Sequence, residues 1–187
     1  MMYKDKYNLH LEIQTPFELN FLIYIQNCYL NNTVNYELPK FPYIPIENGY
    51  HEKFKTRFNA VWDEILLKYN RQDKTTINEN SQLLAQSLFT KQEVFNYLYQ
   101  SFSAWWKGLA GQMAIQNFFS NEKINKLYAN MLETYQVDGN DSKYITIYLI
   151  YDNCQLLSPE KKYEDQVVLS LEDIMRKNLV GKFKHQF

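Results

Sequence analysis

The chain has 187 residues, a formal net charge of −1, and 45% hydrophobic against 22% charged residues. These values fit a single domain over 1–187 that can bury a core without help from disulfides or metal. Acids and bases are spread along the chain, so neither nucleic acid nor an anionic membrane is an expected partner. Five glycines form no phosphate-cradling pattern. The histidines at 10, 51 and 185 and the cysteines at 28 and 154 form no two-ligand motif, so no metal and no cofactor is expected.

Aromatic residues make up 17%, with 16 Tyr and 12 Phe. With abundant Asn and Lys, this reads first as the codon usage of an AT-rich genome. An aromatic binding surface is the second reading. The N-terminus has no apolar run behind its charges and does not read as a signal peptide. Asn20, Gln26, Asn27, Asn31 and Asn32 interrupt the charge-free stretch 19–36, which fails as a membrane span. A cytoplasmic protein is the expectation, and its two cysteines fit a reduced compartment.

Tyr7, Leu9, Leu11 and Ile13 alternate with polar residues, the period of a half-buried strand. Thr15-Pro16-Phe17-Glu18 reads as a helix start with a capping box, and the helix would run to about Leu30. Pro39, Pro42 and Pro45 recur at polyproline spacing and predict an extended segment. Its residues Phe41, Tyr43, Ile44 and Ile46 are expected to pack on the body of the domain. From Tyr50 to Tyr69 a stripe of Phe54, Phe58, Val61, Trp62, Ile65 and Tyr69 predicts a helix, with Glu64 and Lys68 paired on its exposed side. A polar loop over 70–80 and a short helix over Gln82–Phe89 follow.

Thr90-Lys91-Gln92-Glu93 reads as a second capping box. The helix after it lies in a stretch, 94–121, that carries one charge, Lys107. Gly108 and Gly111 predict a break, each weakening a helix by roughly 1 kcal/mol relative to Ala. Their small side chains, with Ala110 and Ala114, would let another element approach closely. Helical neighbours diverge by about 100°. Trp105 therefore continues the apolar stripe and Trp106 falls at its edge. Ser120 reads as the next cap, residues 138–141 as a turn, and Tyr144–Tyr151 as a central strand, apolar on both faces. Gln166–Leu169 reads as a short strand, and Ser170 with Asp173 starts a last helix ahead of a basic tail.

The fold class expected from this order is α+β, with a small, mainly antiparallel sheet built from the two ends of the chain under a helical layer from its middle. The expected function is a non-catalytic protein-binding module, in the manner of a small cytoplasmic inhibitor such as an immunity protein or a phage-borne antagonist. Its contact residues would be Trp106, Tyr97 and Tyr99 on the charge-poor helix, Phe41 and Tyr43 in the proline segment, and Asp138 and Asp141 toward a basic target. The partner is another protein, or a second copy in a homodimer. One alternative is a binder of a small apolar or aromatic ligand. Another is an enzyme assembled from isolated residues such as His10, Glu12, His51, Asp152 and Cys154.

Overall fold

The computed structural model describes residues 9–34, 38–46, 48–70, 77–116, 121–134, 142–157 and 165–175. Among them the order is β1 (Leu9–Gln14), α1 (Phe17–Thr33), α2 (Phe54–Asn70), α3 (Ile77–Gln86), α4 (Gln92–Lys107), α5 (Leu109–Gln116), α6 (Asn121–Thr134), β2 (Lys143–Ile150), β3 (Gln166–Ser170) and α7 (Leu171–Met175). The class is α+β and mostly helical. Two compact units divide the chain. Unit 1 holds Met1–Pro16, Gln112–Asn153 and Pro159–Phe187, and unit 2 holds Phe17–Gly111 with Cys154–Ser158.

The strands of unit 1 form one sheet in the order β1-β2-β3. Both pairings are parallel, with Ile13 opposite Ile147 and Ile147 opposite Val167. This corrects the expected antiparallel sheet. Alternation along a strand specifies which face is buried and carries nothing about direction. Direction depends on the connections, and parallel neighbours need crossovers of about a dozen residues or more. In sequence, 128 residues separate β1 from β2 and 15 separate β2 from β3, enough chain for both.

One face of the sheet carries Leu9, Ile145, Ile147, Val167 and Leu169, which are buried beneath Leu127 and Met131 of α6. The Tyr128 hydroxyl of α6 donates to the Leu9 carbonyl at 3.4 Å. β2 is apolar on both faces and lies in the centre of the sheet, as its sequence predicts. At the end of β3, the Ser170 N–H donates to Asp173 Oδ2 at 2.8 Å and Ser170 Oγ to the same oxygen at 2.7 Å. The Asp173 N–H returns a bond to Ser170 Oγ at 3.1 Å. This reciprocal capping starts α7 where the sequence places it.

α1 is the most buried helix of unit 2, and its buried residues include Leu19, Leu22, Ile23 and Ile25 as well as Asn20, Gln26 and Asn27. A helix buried on so many sides shows a weak amphipathic pattern, which is why its sequence also permits a strand. The Glu18 carboxylate accepts a hydrogen bond from the Tyr69 hydroxyl of α2. The predicted stripe on α2 is buried at Phe54, Phe58, Val61, Trp62 and Ile65. Lys68 Nζ lies 3.5 Å from Glu64 Oε1 on its outer side.

Tyr50 and Phe89 fall outside their predicted helices because they pair with each other in an isolated antiparallel bridge. Thr90 serves that bridge: its N–H donates to the Gly49 carbonyl at 2.9 Å, and its hydroxyl donates to the same oxygen at 3.3 Å. The cap of α4 is therefore Lys91, with no side-chain capping bond. Gly108 ends α4 in an extended conformation, as the glycine pattern predicts. A Cβ on Gly111 would stand 2.5 Å from the Trp105 carbonyl oxygen, so the start of α5 folds closely against the end of α4.

Candidate protein-binding surface

The proline segment lies along the C-terminal half of α1, and side-chain amides hold it there. Asn27 Nδ2 donates to the Phe41 carbonyl at 2.8 Å. Asn31 Nδ2 donates to the Lys40 carbonyl at 2.6 Å and the Pro42 carbonyl at 3.2 Å, while Asn31 Oδ1 accepts the Lys40 N–H at 2.8 Å. The next residue, Asn32, reaches the Ile44 carbonyl through Nδ2 and accepts the Ile46 N–H at Oδ1, both at 3.2 Å. An extended backbone without strand partners must find such bonds elsewhere. The asparagines that sequence composition assigns to codon usage supply them.

Because the backbone faces α1, side chains of the segment turn outward. Pro42 is buried, but Phe41 is 51% exposed and Tyr43 63%. The expectation that these two aromatics pack into the body of the domain is met only in part. The Phe41 ring rests on Trp105 at 5.0 Å and reaches Tyr24 at 6.1 Å between centroids, with its remaining area open. The Phe41–Pro42 peptide is cis.

α4 presents three flanks to this arrangement. Phe95, Leu98 and Phe102 form its buried stripe. On one side lie Trp105, then Ser101, whose hydroxyl shares a 2.8 Å hydrogen bond with the Tyr24 hydroxyl, then Tyr97, 58% exposed. Burial pushes the Tyr24 hydroxyl above its ordinary pKa, partly opposed by the Ser101 bond. On the other side Tyr99 and Trp106 both meet Phe17, at 5.9 and 6.3 Å, edge to face. Trp106 also stacks on Phe102 at 5.4 Å.

The residues singled out in the sequence thus separate. Phe41, Tyr43 and Tyr97 are exposed. Tyr99 is half-buried and its hydroxyl accepts from Gln82 Nε2 at 2.6 Å, which marks it as a packing residue. Trp106 is half-buried among Phe17, Phe102 and Trp105. Asp138 and Asp141 lie outside the described residues, as do Tyr7, the Ser120 cap and the basic tail. Trp105, which the sequence places on the apolar stripe, is the tryptophan that supports the exposed Phe41. The signal that could have found it is the Asn27/Asn31 spacing, one helical turn, facing a proline segment whose backbone needs partners.

Elsewhere the isolated polar residues make other contacts. The His10 ring stacks on Tyr144 at 4.5 Å, and Glu12 accepts from Gln14 Nε2 at 2.8 Å, so their side chains are engaged sideways along the sheet. His51 Nδ1 accepts the Lys53 N–H at 3.2 Å. Asp152 Oδ1 accepts the Asn153 N–H at 2.7 Å. Cys154 Sγ donates to Gln26 Oε1 at 3.3 Å. The same oxygen accepts the Gln155 and Leu156 N–H groups at 2.7 and 3.1 Å. The Cys28 thiol is pushed up to about 12, chiefly by burial, and stays protonated.

Among the described residues no group of His, Cys, Asp and Glu is placed to hold a metal ion. None of the described helices is long and apolar enough to cross a membrane. Within unit 2, a cavity of about 20 Å³ is lined by Phe17, Glu18, Phe21, Ile65, Gln82, Ala85 and Tyr99. That is room for about one water molecule. No family model matches the chain, and no similar curated protein or solved structure was found.

Proposed function

We propose that this chain is a protein-binding module whose contact surface is formed by Phe41, seated on Trp105, with Tyr43 and Tyr97. The observation that carries this reading is Phe41: half-exposed, seated on Trp105, and held by a backbone that Asn27 and Asn31 fix in place. An aromatic ring presented on a fixed backbone loses little conformational freedom on binding, and such residues dominate interface energies. An inhibitor that occludes another protein's working surface is the functional class that suits a module of this kind. The test is capture from the native host at near-physiological salt, comparing the natural chain with a Phe41→Ala, Tyr43→Ala double variant. The expected result is a stoichiometric second protein held by the natural chain. The double variant should weaken it by about 2 kcal/mol or more, roughly 30-fold in Kd, while its unfolding midpoint stays near the natural value. A protein held equally by both, or by neither, would sink this reading.

A further inference from the structure

A second feature of unit 2 is chemical and independent of binding. Asn48 is the one asparagine in the chain followed by glycine. It is exposed and adopts a left-handed conformation, φ 53°, which asparagine tolerates better than most residues. Among the described residues, no hydrogen bond holds its side-chain amide or the Gly49 N–H. Other asparagines of unit 2 differ. Asn27, Asn31, Asn32 and Asn59 donate their amides to backbone carbonyls, and each sits inside a helix. There the next residue's N–H is committed to the helical ladder.

We infer that Asn48 is a site of spontaneous deamidation, a slow covalent change built into the turn that leads from the proline segment into the Tyr50–Phe89 bridge. The Gly49 nitrogen attacks Asn48 Cγ, and a new N–C bond closes a five-membered imide. The Cγ–Nδ2 bond breaks, and ammonia leaves with the proton given up by the Gly49 N–H. Water then opens the imide at either carbonyl, giving aspartate or isoaspartate. The missing Cβ of Gly49 removes the group that would hinder this attack. The product adds one negative charge, and its isoaspartate form adds a methylene to the main chain. That extra length falls beside a tight contact. The Gly49 carbonyl accepts from Thr90 N at 2.9 Å, and a Cβ on Gly49 would already stand 2.9 Å from Val94 Cγ2. The isoaspartate form therefore displaces the bridge, and the aspartate form leaves it in place.

The test is peptide mapping and isoelectric focusing of the folded chain held in warm, mildly alkaline buffer. The peptide containing Asn48 should gain one mass unit several-fold faster than any other asparagine peptide, and split into two chromatographic forms. A more acidic band should grow in step and fail to appear in Asn48→Gln. The proposal is overturned if the Asn48 peptide stays intact while the chain is folded, or if other asparagines convert as fast. The map of the natural chain decides this alone, whether or not the variant folds, and its outcome does not depend on any partner.

Discussion

Asn31 and Lys40 exchange two hydrogen bonds, the Asn31 amide donating to the Lys40 carbonyl at 2.6 Å and accepting the Lys40 N–H at 2.8 Å. A side-chain amide here takes the place that a neighbouring strand would take. It satisfies both polar groups of one residue in an extended segment and sets the register of the next, Phe41, over Trp105.

Asn31→Ala removes these two bonds and the one to the Pro42 carbonyl, so three backbone groups of the segment lose this partner. The expected cost is about 1–3 kcal/mol, since part-buried groups lose their partners. Urea unfolding would show the drop in midpoint. Tryptophan emission in the folded variant should also shift toward that of a more solvated ring, because Phe41 no longer covers Trp105. A variant with unchanged midpoint and emission would mean that Asn27 and Asn32 hold the segment without it.

The Cys28 thiol, pushed up to about 12 by burial, is expected to resist iodoacetamide at neutral pH and to react only when the protein unfolds. Rapid labelling of native Cys28 would contradict this. The same shift has a consequence in alkali. Above about pH 8.5 an unfolded cysteine ionises while the folded one keeps its proton. The unfolded state then binds fewer protons, so stability falls as pH rises. The contribution of Cys28 is full below about pH 8.5 and declines toward pH 12. Tyr148 in unit 1 is pushed from 10.0 up to about 12, chiefly by burial, and acts in the same direction from about pH 10 upward. Urea midpoints measured across this range should fall steadily.

Gly111→Ala should destabilise the chain even though alanine is the better helix former by about 1 kcal/mol. The added carbon would meet the Trp105 carbonyl oxygen at 2.5 Å and Trp106 Cα at 2.9 Å, both backbone atoms that cannot rotate away. A lowered thermal midpoint, with altered tryptophan emission, is the expected outcome. A rise in the midpoint would show that α5 can move off the end of α4 at little cost.

Much of the local structure is legible in the sequence because it depends on residues three or four apart. The stripe on α2, the Glu64–Lys68 pair, the break at Gly108 and the Ser170–Asp173 cap all follow from helical spacing. The apolar face of β1 follows from alternation, and the two apolar faces of β2 from its nearly continuous apolar run. Thr90 is the instructive failure. Its motif reads as a cap, but a carbonyl forty-one residues earlier, at Gly49, claims both its N–H and its hydroxyl. The candidate surface was half legible. Phe41, Tyr43 and Tyr97 stand out as aromatics, but nothing local separates them from Tyr99, which packs, or from Trp106, which stacks on Phe102.

The sequence by itself determined that this chain builds a charge-poor helical core, a short sheet from its ends and a helix, α4, that stops at Gly108. It did so because backbone propensity and apolar periodicity act within one or two helical turns. Only the tertiary structure decided that the strands run parallel, that the asparagines of α1 hold the proline segment, and that Trp105 supports the exposed ring. Each of these depends on which backbone groups and rings meet across long stretches of chain, and hydrogen bonds and ring contacts form only at distances that the folded chain sets.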